Sequence, residues 1–210
     1  MEIKKGLFIV LDGGEGSGKT TLLKRAVEYF KDELVTTREP GGALYAEEIR
    51  NLILHSPNAK DADAKTMFAL FWAARADHMK NTVIPALNSG KIEISDRFDS
   101  STYAYQIVAQ GARELQELFW IVRDQYLGEY KPDIYVYLDL DPEVGIERKN
   151  QQKNEKQNHF DKRNLQFHEA LRRGYKEFFA NKNHKVKSVI IDAAKSKDEV
   201  WQDFMGVIPL

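Results

Sequence analysis

Short apolar runs alternate along the chain with longer segments in which apolar residues recur every three or four positions. The short runs are rich in β-branched residues and predict strands at residues 7–11, 34–37, 91–95, 134–138 and 186–191. The longer segments predict a helix across residues 22–30 and further helices at 43–54, 62–88, 99–109, 112–130, 142–149, 162–180 and 197–204. This alternation favours a three-layer α/β/α fold in which helices cover both faces of a parallel five-stranded sheet.

The predicted helix 62–88 carries two sets of side chains. Its core stripe is predicted to consist of Phe68, Trp72, Ala76, Met79 and Val83. Phe71 and Arg75 lie one turn apart and about 100° from that stripe, so that a ring face and a guanidinium group point in a common direction. They either bind one planar ligand together or pack as ordinary neighbours. From spacing alone, ordinary packing is the stronger interpretation.

Four of the predicted strands lead directly into an aspartate: Asp12, Asp96, Asp139 and Asp192. Ligands of open α/β sheets bind at the carboxyl ends of the strands, so several of these carboxylates are expected at one crevice. For Asp139 and Asp192, a role in a turn or helix cap is the favoured alternative.

A phosphate-binding loop follows the first strand and precedes an amphipathic helix. It matches the pattern G-x-x-x-x-G-K-[ST] and consists of Gly13, Gly14, Glu15, Gly16, Ser17, Gly18, Lys19 and Thr20. Backbone N–H groups of such a loop surround phosphate oxygens, the lysine reaches the outer phosphates, and the threonine hydroxyl can bind Mg²⁺. The sequence therefore predicts a P-loop NTPase fold that binds the phosphates of a nucleotide, a site that enzymes and switches both use.

Two classes of P-loop protein are disfavoured. A guanine-reading N-K-x-D motif has its nearest match at residues 181–184, which lack the acid and precede a strand. An ATPase motor is expected to have a strand that ends in Asp-Glu, whereas here Asp96 and Asp139 are followed by Arg97 and Leu140. A small phosphotransferase remains.

Two further segments are predicted to bind the acceptor. Residues 37–42 follow the second strand and contain Arg38, Glu39 and Pro40. Residues 96–106 combine an acid, an arginine, hydroxyls and aromatic rings. An arginine fork beside an acid suits a phosphate held near a magnesium ion.

Composition narrows the choice of partners. The chain has 210 residues and a formal net charge of −1, which argues against binding to a nucleic acid polymer. The longest apolar run, residues 67–74, is far shorter than the ~18 residues of a membrane span, and no export signal is visible, so a cytoplasmic location is expected. Residues 149–158 contain no apolar side chain and predict a mobile lid, at about 149–161, within a single domain of residues 1–210.

In these motifs the chain resembles the bacterial-type thymidylate kinases, in the nucleoside monophosphate kinase branch of the P-loop proteins. The resemblance covers nearly the whole chain and rests on the P-loop, on residues 38–42, on Phe71 with Arg75, on residues 96–106 and on residues 131–133. It implies transfer of the γ-phosphoryl group of ATP to dTMP, giving dTDP and ADP for dTTP synthesis. It also implies a homodimer with antiparallel helix packing.

The resemblance assigns expected roles to individual residues. Phe71 would stack on thymine, Arg75 would hydrogen-bond an exocyclic oxygen of the base, and Ser101 and Thr102 belong to the same substrate-binding motif, with Thr102 at the base edge. Arg38 and Arg97 would hold the acceptor phosphate beside Glu39 and Pro40. Tyr105 would fill the space that a ribose 2′-hydroxyl needs. Lys19, Arg97, Arg148 and Glu15 are the expected catalytic residues, and Thr20 and Asp96 the expected magnesium ligands.

The chain departs from the family pattern in two places. The segment after Tyr105 reads Gln-Ile-Val-Ala-Gln-Gly in place of the usual Gln-Gly followed by Arg-Gly, and residues 158–161 read Asn-His-Phe-Asp in place of Asp-Arg-Phe-Glu. The usual lid arginine is therefore missing, and Arg148 is the preferred source of the cation. A P-loop deoxynucleoside kinase and a non-catalytic nucleotide-dependent switch are the alternatives.

Overall fold

The computed structural model describes residues 6–151 and 158–209. Within them the strands are β1 (Leu7–Gly13), β2 (Leu34–Arg38), β3 (Ile92–Asp96), β4 (Ile134–Asp139) and β5 (Lys187–Asp192). They form one parallel sheet in the order β2-β3-β1-β4-β5. Every predicted strand is confirmed, and each ends one or two residues later than predicted. The polar residues at their ends still pair with neighbouring strands, as Asp96 does with Leu11 and Arg38.

The helices of the described residues also match the predicted segments. They are α1 (Lys19–Phe30), α2 (Leu44–His55), α3 (Ala64–His78), α4 (Ile84–Asn88), α5 (Asp99–Thr102), α6 (Gln116–Leu127), α7 (Pro142–Gln151), α8 (Leu165–Ala180) and α9 (Lys197–Met205). A π-helical turn, Met79–Val83, joins α3 to α4, so the predicted helix 62–88 is one helical stretch. A second π-helical segment, Tyr103–Ala109, continues α5.

Helices cover both faces of the sheet, which confirms the three-layer α/β/α prediction. On one face, α1 and α9 pack against Ile9 and Leu11 of β1. On the other face, α3, α6 and α8 pack against Phe8 and Val10 of the same strand. Both faces of β1 are therefore apolar, and the phosphate-binding loop starts at the end of a strand that is buried in the core.

The predicted core stripe of α3 is wrong at one position. Phe68, Trp72, Met79 and Val83 are buried, but Ala76 is exposed. Residues four apart on a helix advance by about 400°, so two successive steps of four rotate the stripe by about 80° towards solvent. Arg75 is buried, next to this position.

The predicted lid at about 149–161 is described only at its two ends, because residues 152–157 lie outside the described residues. Its first end belongs to α7. Its second end, residues 158–161, contacts α2, where Nε2 of His159 lies 2.9 Å from the carbonyl oxygen of Ile53. No helix within residues 6–151 and 158–209 is long and apolar enough to cross a membrane.

Candidate active site

The phosphate-binding loop connects β1 to α1, as the sequence predicts. Lys19, the first residue of α1, folds back over the loop and donates from Nζ to the carbonyl oxygens of Gly13, at 3.1 Å, and Gly14, at 3.5 Å. Burial lowers the pKa of Lys19, and repulsion from Arg97 lowers it further, while Asp96, Glu15 and Asp12 act in the opposite direction. Its amino group therefore lies over the backbone that would surround a phosphate.

The loop touches α7 through two glycines. Gly16 has a φ of +66°, and a Cβ atom built on it would lie 2.3 Å from the carbonyl oxygen of Gly145. A Cβ atom on Gly145 would in turn lie 2.3 Å from the carbonyl oxygen of Glu15. The two backbones are in direct contact, with no space for a side chain at either glycine.

Glu15 links this loop to two cations. Its carboxylate lies 3.2 Å from Nη2 of Arg97 and 3.5 Å from Nζ of Lys149. Burial alone would raise the pKa of Glu15, but Arg97, Lys19 and Lys149 together hold that pKa below its usual value. Glu15 is thus a carboxylate that joins the loop to the turn after β3 and to α7.

Arg97 has an uncommon backbone conformation for an arginine. Its φ is +70°, and its N–H donates to the carbonyl of Leu11 at 3.0 Å. From there the guanidinium group donates to Tyr175 at 2.8 Å and to Glu15 at 3.2 Å. The turn directs this arginine across the carboxyl ends of the central strands.

A cavity of about 130 Å³ lies beside Glu15 and Arg97. Many of the predicted substrate and metal residues line it: Glu15, Arg38, Glu39, Pro40, Phe71, Asp96, Arg97, Ser101 and Tyr105. Of the four strand-end aspartates, Asp96 lines this cavity, whereas Asp139 pairs with Arg172 at 2.6 Å and Asp192 accepts from the N–H of Ala194 at 2.9 Å, as in a turn. The cavity is lined by aromatic rings, by arginines and by carboxylates.

Arg75 and Thr102 lie behind the residues that line the cavity. The guanidinium group of Arg75 is fully buried, 2.7 Å from Glu39 and 3.1 Å from the hydroxyl of Thr102. It also lies over the rings of Trp72, at 4.4 Å, and Phe98, at 5.0 Å. Among the described residues, its Nη1 atom has no hydrogen-bond partner.

Asp12, inside β1, supports the helix that carries Ser101. Its carboxylate accepts hydrogen bonds from Ser100 and from Ser101, the latter at 3.0 Å. Burial raises the pKa of Asp12 to about 6, although Ser100 and Arg97 oppose the increase. Ser101 also contacts the hydroxyl of Tyr175 at 2.7 Å, so the same hydrogen-bond network reaches Arg97.

Arg148 lies on the donor side of the site. Its Nη1 atom donates to the carbonyl of Ala193 at 3.1 Å and approaches that of Gly16 at 3.5 Å. It therefore connects α7 to the phosphate-binding loop and to the end of β5.

Two residues that line the cavity, Arg50 and Leu54, were not predicted to belong to the site. Phe98 lies within the predicted acceptor segment and Asn158, Phe160 and Asp161 lie within the predicted lid, but none of these four was predicted to line the cavity. Arg50 donates to the carbonyl of Pro40 at 2.5 Å, but in the sequence it is one charged position of an amphipathic helix. Phe160 packs edge-on against Tyr105, with ring centroids 5.3 Å apart. A single apolar residue after a polar segment was the available signal for Phe160. Its contact with Tyr105 depends on tertiary structure.

Comparison with known proteins gives consistent results. A sequence profile of the thymidylate kinase family matches residues 11–204. The thymidylate kinase of Aster yellows witches'-broom phytoplasma (strain AYWB) is 41% identical to this chain, over 93% of this chain and 93% of its own length. The thymidylate kinase of Clostridium novyi (strain NT) is 37% identical, over 98% of this chain and 100% of its own length. The crystal structure of thymidylate kinase from Ehrlichia chaffeensis matches with a TM-score of 0.73 and 29% identity, covering 97% of this chain and 98% of that one.

Proposed function

The chain belongs to the thymidylate kinase family, and on this basis we propose that it transfers the γ-phosphoryl group of ATP to dTMP, giving dTDP and ADP. The observation that carries this proposal is the position of Glu15, which belongs to the phosphate-binding loop and also lines the arginine-rich cavity. A donor site and an acceptor site are therefore adjacent. Phosphoryl transfer requires this proximity.

At the donor side, residues 13–20 would surround the ATP phosphates. The ammonium group of Lys19 lies over the loop carbonyls and would exchange them for the outer phosphate oxygens. Arg148 would supply a second cation from α7, because its fork can span two phosphate oxygens. The loop itself carries no basic residue between Gly13 and Gly18.

We propose that Thr20 and Asp96 would hold a magnesium ion. The Oδ1 atom of Asp96 is buried and has no hydrogen-bond partner among residues 6–151 and 158–209. These same residues contain no cluster of three or more His, Cys, Asp or Glu that could hold a metal. Mg²⁺ in phosphotransferases is commonly bound by one or two protein oxygens together with substrate phosphates, and when bound it neutralises phosphate charge.

At the acceptor side, Phe71 would stack on the thymine ring and Arg75 would donate to an exocyclic oxygen. Arg38, Arg97 and the newly found Arg50 line the cavity and would hold the acceptor phosphate. Tyr105 would exclude a ribose 2′-hydroxyl, which favours deoxyribonucleotides. The acceptor phosphate is already an anion, so no general base is assigned, and Glu15 and Asp96 are binding groups.

The test is an assay of ADP release with five acceptors at fixed ATP and Mg²⁺: dTMP, dUMP, dCMP, ribothymidylate and thymidine. We expect the highest kcat/KM with dTMP and low activity with thymidine, since thymidine lacks the anion that the arginines bind. Faster turnover of thymidine would favour a deoxynucleoside kinase. ATP binding without transfer to any of the five would favour a nucleotide-dependent switch.

We also propose a homodimer formed by the outer faces of α2 and α3. Tyr45 and Leu52 are seven residues apart on α2, and their exposed fractions are 62% and 56%. On α3, the small residues Ala69, Ala73 and Ala76 are exposed along one side. A large apolar surface beside small residues suits helix packing between subunits. The cytoplasmic location stays a prediction from the sequence.

A further inference from the structure

His78, at the end of α3, is fully buried and has partners at both ring nitrogens. Nδ1 lies 3.0 Å from a carboxylate oxygen of Glu39, and Nε2 lies 2.8 Å from the hydroxyl of Thr37. No step of the phosphoryl transfer described above uses this histidine. Buried polar rings are normally hydrogen-bonded, and one partner of this ring, Glu39, lines the acceptor cavity.

The direction of these hydrogen bonds follows from Glu39. A carboxylate paired with an arginine only accepts hydrogen bonds, so the ring donates from Nδ1. In the neutral ring Nε2 is then the acceptor, and the hydroxyl of Thr37 donates a hydrogen bond to it. The chain of contacts begins at β2 and passes through the histidine to the glutamate.

The same chain ends at Arg75. The second carboxylate oxygen of Glu39 accepts from Nε of Arg75 at 2.9 Å, and the hydroxyl of Thr102 lies 3.1 Å from Nη2. With Nε and Nη2 occupied, Nη1 is the donor that has no partner among the described residues. His78 thus fixes one oxygen of the carboxylate whose other oxygen fixes the guanidinium plane.

We propose that His78 is a positioning residue that acts through Glu39 to fix the guanidinium plane of Arg75, whose buried and unpartnered Nη1 atom is left as the donor for the pyrimidine of the acceptor. This inference rests on the proposed function, because it assigns Arg75 to the acceptor base. Glu39 and Phe98, which both contact the arginine, line the acceptor cavity. A buried chain of charge-assisted hydrogen bonds limits the rotation of its last member, which lowers the entropy lost when that member binds a ligand.

Two substitutions of His78 distinguish this role from simple packing. Asparagine presents its amide near the position of Nδ1 and can still donate to Glu39, whereas glutamine presents its amide near Nε2 and can replace only the contact with Thr37. We expect His78→Gln to raise KM for dTMP by about tenfold or more, in line with loss of a buried hydrogen bond to a charged group. His78→Asn should raise it by about threefold at most. In both variants kcat and KM for ATP should change less than about threefold.

A double-mutant cycle tests whether the effect passes through Arg75. In an Arg75→Ala background, His78→Gln should change the dissociation constant of dTMP by less than about twofold, because the group it positions is gone. Independent, multiplicative effects would overturn the proposal. If Arg75→Ala does not fold, Thr37→Val gives the second readout: removal of its hydroxyl should raise KM for dTMP in the same direction, by about two- to fivefold.

A buried histidine elsewhere provides the matched control. His184 accepts from the N–H of Val186 at 3.1 Å, far along the chain from the cavity residues. His184→Gln should lower the melting temperature and leave KM for dTMP unchanged. Equal effects of His78→Gln and His78→Asn, or an unchanged KM in the glutamine variant, would overturn the positioning role. Absence of dTMP phosphorylation by the wild-type protein would instead contradict the proposed function itself.

Discussion

Lys19 carries the charge that lies over the phosphate-binding loop, and its removal tests the donor site at the scale of one residue. Lys19→Ala should lower turnover of dTMP by roughly 10³-fold or more, because a cation that touches the transferring group is lost. Lys24, exposed on the same helix, is the control, and Lys24→Ala should leave turnover unchanged. Steady-state rates at saturating ATP measure both. Equal rates for Lys19→Ala and wild type would contradict the assignment of this loop.

Phe71 lines the acceptor cavity, so its ring can be tested separately from the donor site. Phe71→Ala should weaken binding of dTMP by roughly 1–3 kcal/mol, the usual contribution of a base stacked on an aromatic ring. Titration calorimetry measures this, and ATP affinity should stay constant. Phe68 is a core phenylalanine of the same helix, so Phe68→Leu should lower the melting temperature without weakening the binding of dTMP. If both variants weaken the binding of dTMP equally, the effect comes from packing.

Asp12 makes stability depend on pH. Its pKa is raised from 3.8 to about 6 in the folded protein, so the folded state holds its proton more tightly than the unfolded state. Stability therefore falls as pH rises from about 4 to 6, and above that the carboxylate costs about 3 kcal/mol. The free energy of unfolding of Asp12→Asn, relative to wild type, should increase between pH 5 and pH 8 by on the order of 1 kcal/mol. Urea unfolding at both pH values measures it, and a flat or decreasing difference contradicts the prediction.

Single residues differ in how far the sequence could predict them. Arg38 and Asp96 are the last residues of their strands, and Glu15 and Arg97 lie within two residues of a strand end. A parallel sheet brings such side chains to one edge, and all four line the cavity. Arg50 and His78 lie within helices, where helical periodicity distinguishes buried from exposed faces and does not identify a partner. Their contacts depend on how α2 and α3 pack against β2, which a local pattern does not contain.

Among the elements, α7 is the one that joins the donor site to the predicted lid. Arg148 of this helix contacts backbone oxygens of Gly16 and Ala193. If it stabilises the transition state, Arg148→Ala should reduce turnover by roughly 10²-fold or more while dTMP affinity stays near that of wild type. Glu147 is exposed on the same helix, and Glu147→Ala should have no effect. A decrease of less than about threefold would make Arg148 a structural residue.

The elements themselves were predictable because their patterns are strong. Apolar β-branched runs identified all five strands of the described residues, and helical spacing identified the helices between them. The π-helical turns Met79–Val83 and Tyr103–Ala109 were not predicted, since each changes the hydrogen-bond register without breaking the apolar pattern. The predicted lid centre, residues 152–157, lies outside the described residues.

For the molecule as a whole, the proposed dimer predicts a change of mass in solution. Leu52→Glu places a charge on the outer face of α2 and should shift the protein towards the monomer, as measured by light scattering. The control is Ile190, an apolar residue of β5 that is 51% exposed. Ile190→Glu should leave the mass unchanged. A monomeric wild-type protein, or a dimer that persists in Leu52→Glu, would contradict the proposed interface.

The contact between Gly16 and Gly145 couples the position of the phosphate-binding loop to the position of α7. Because backbone meets backbone there, with no flexible side chain to absorb a displacement, any displacement of the loop towards Pro142–Gln151 would have to move that helix as well. The far end of that helix leads into the predicted lid. A methyl group on Gly145 would lie 2.3 Å from the carbonyl oxygen of Glu15, so Gly145→Ala would push the phosphate-binding loop and α7 apart.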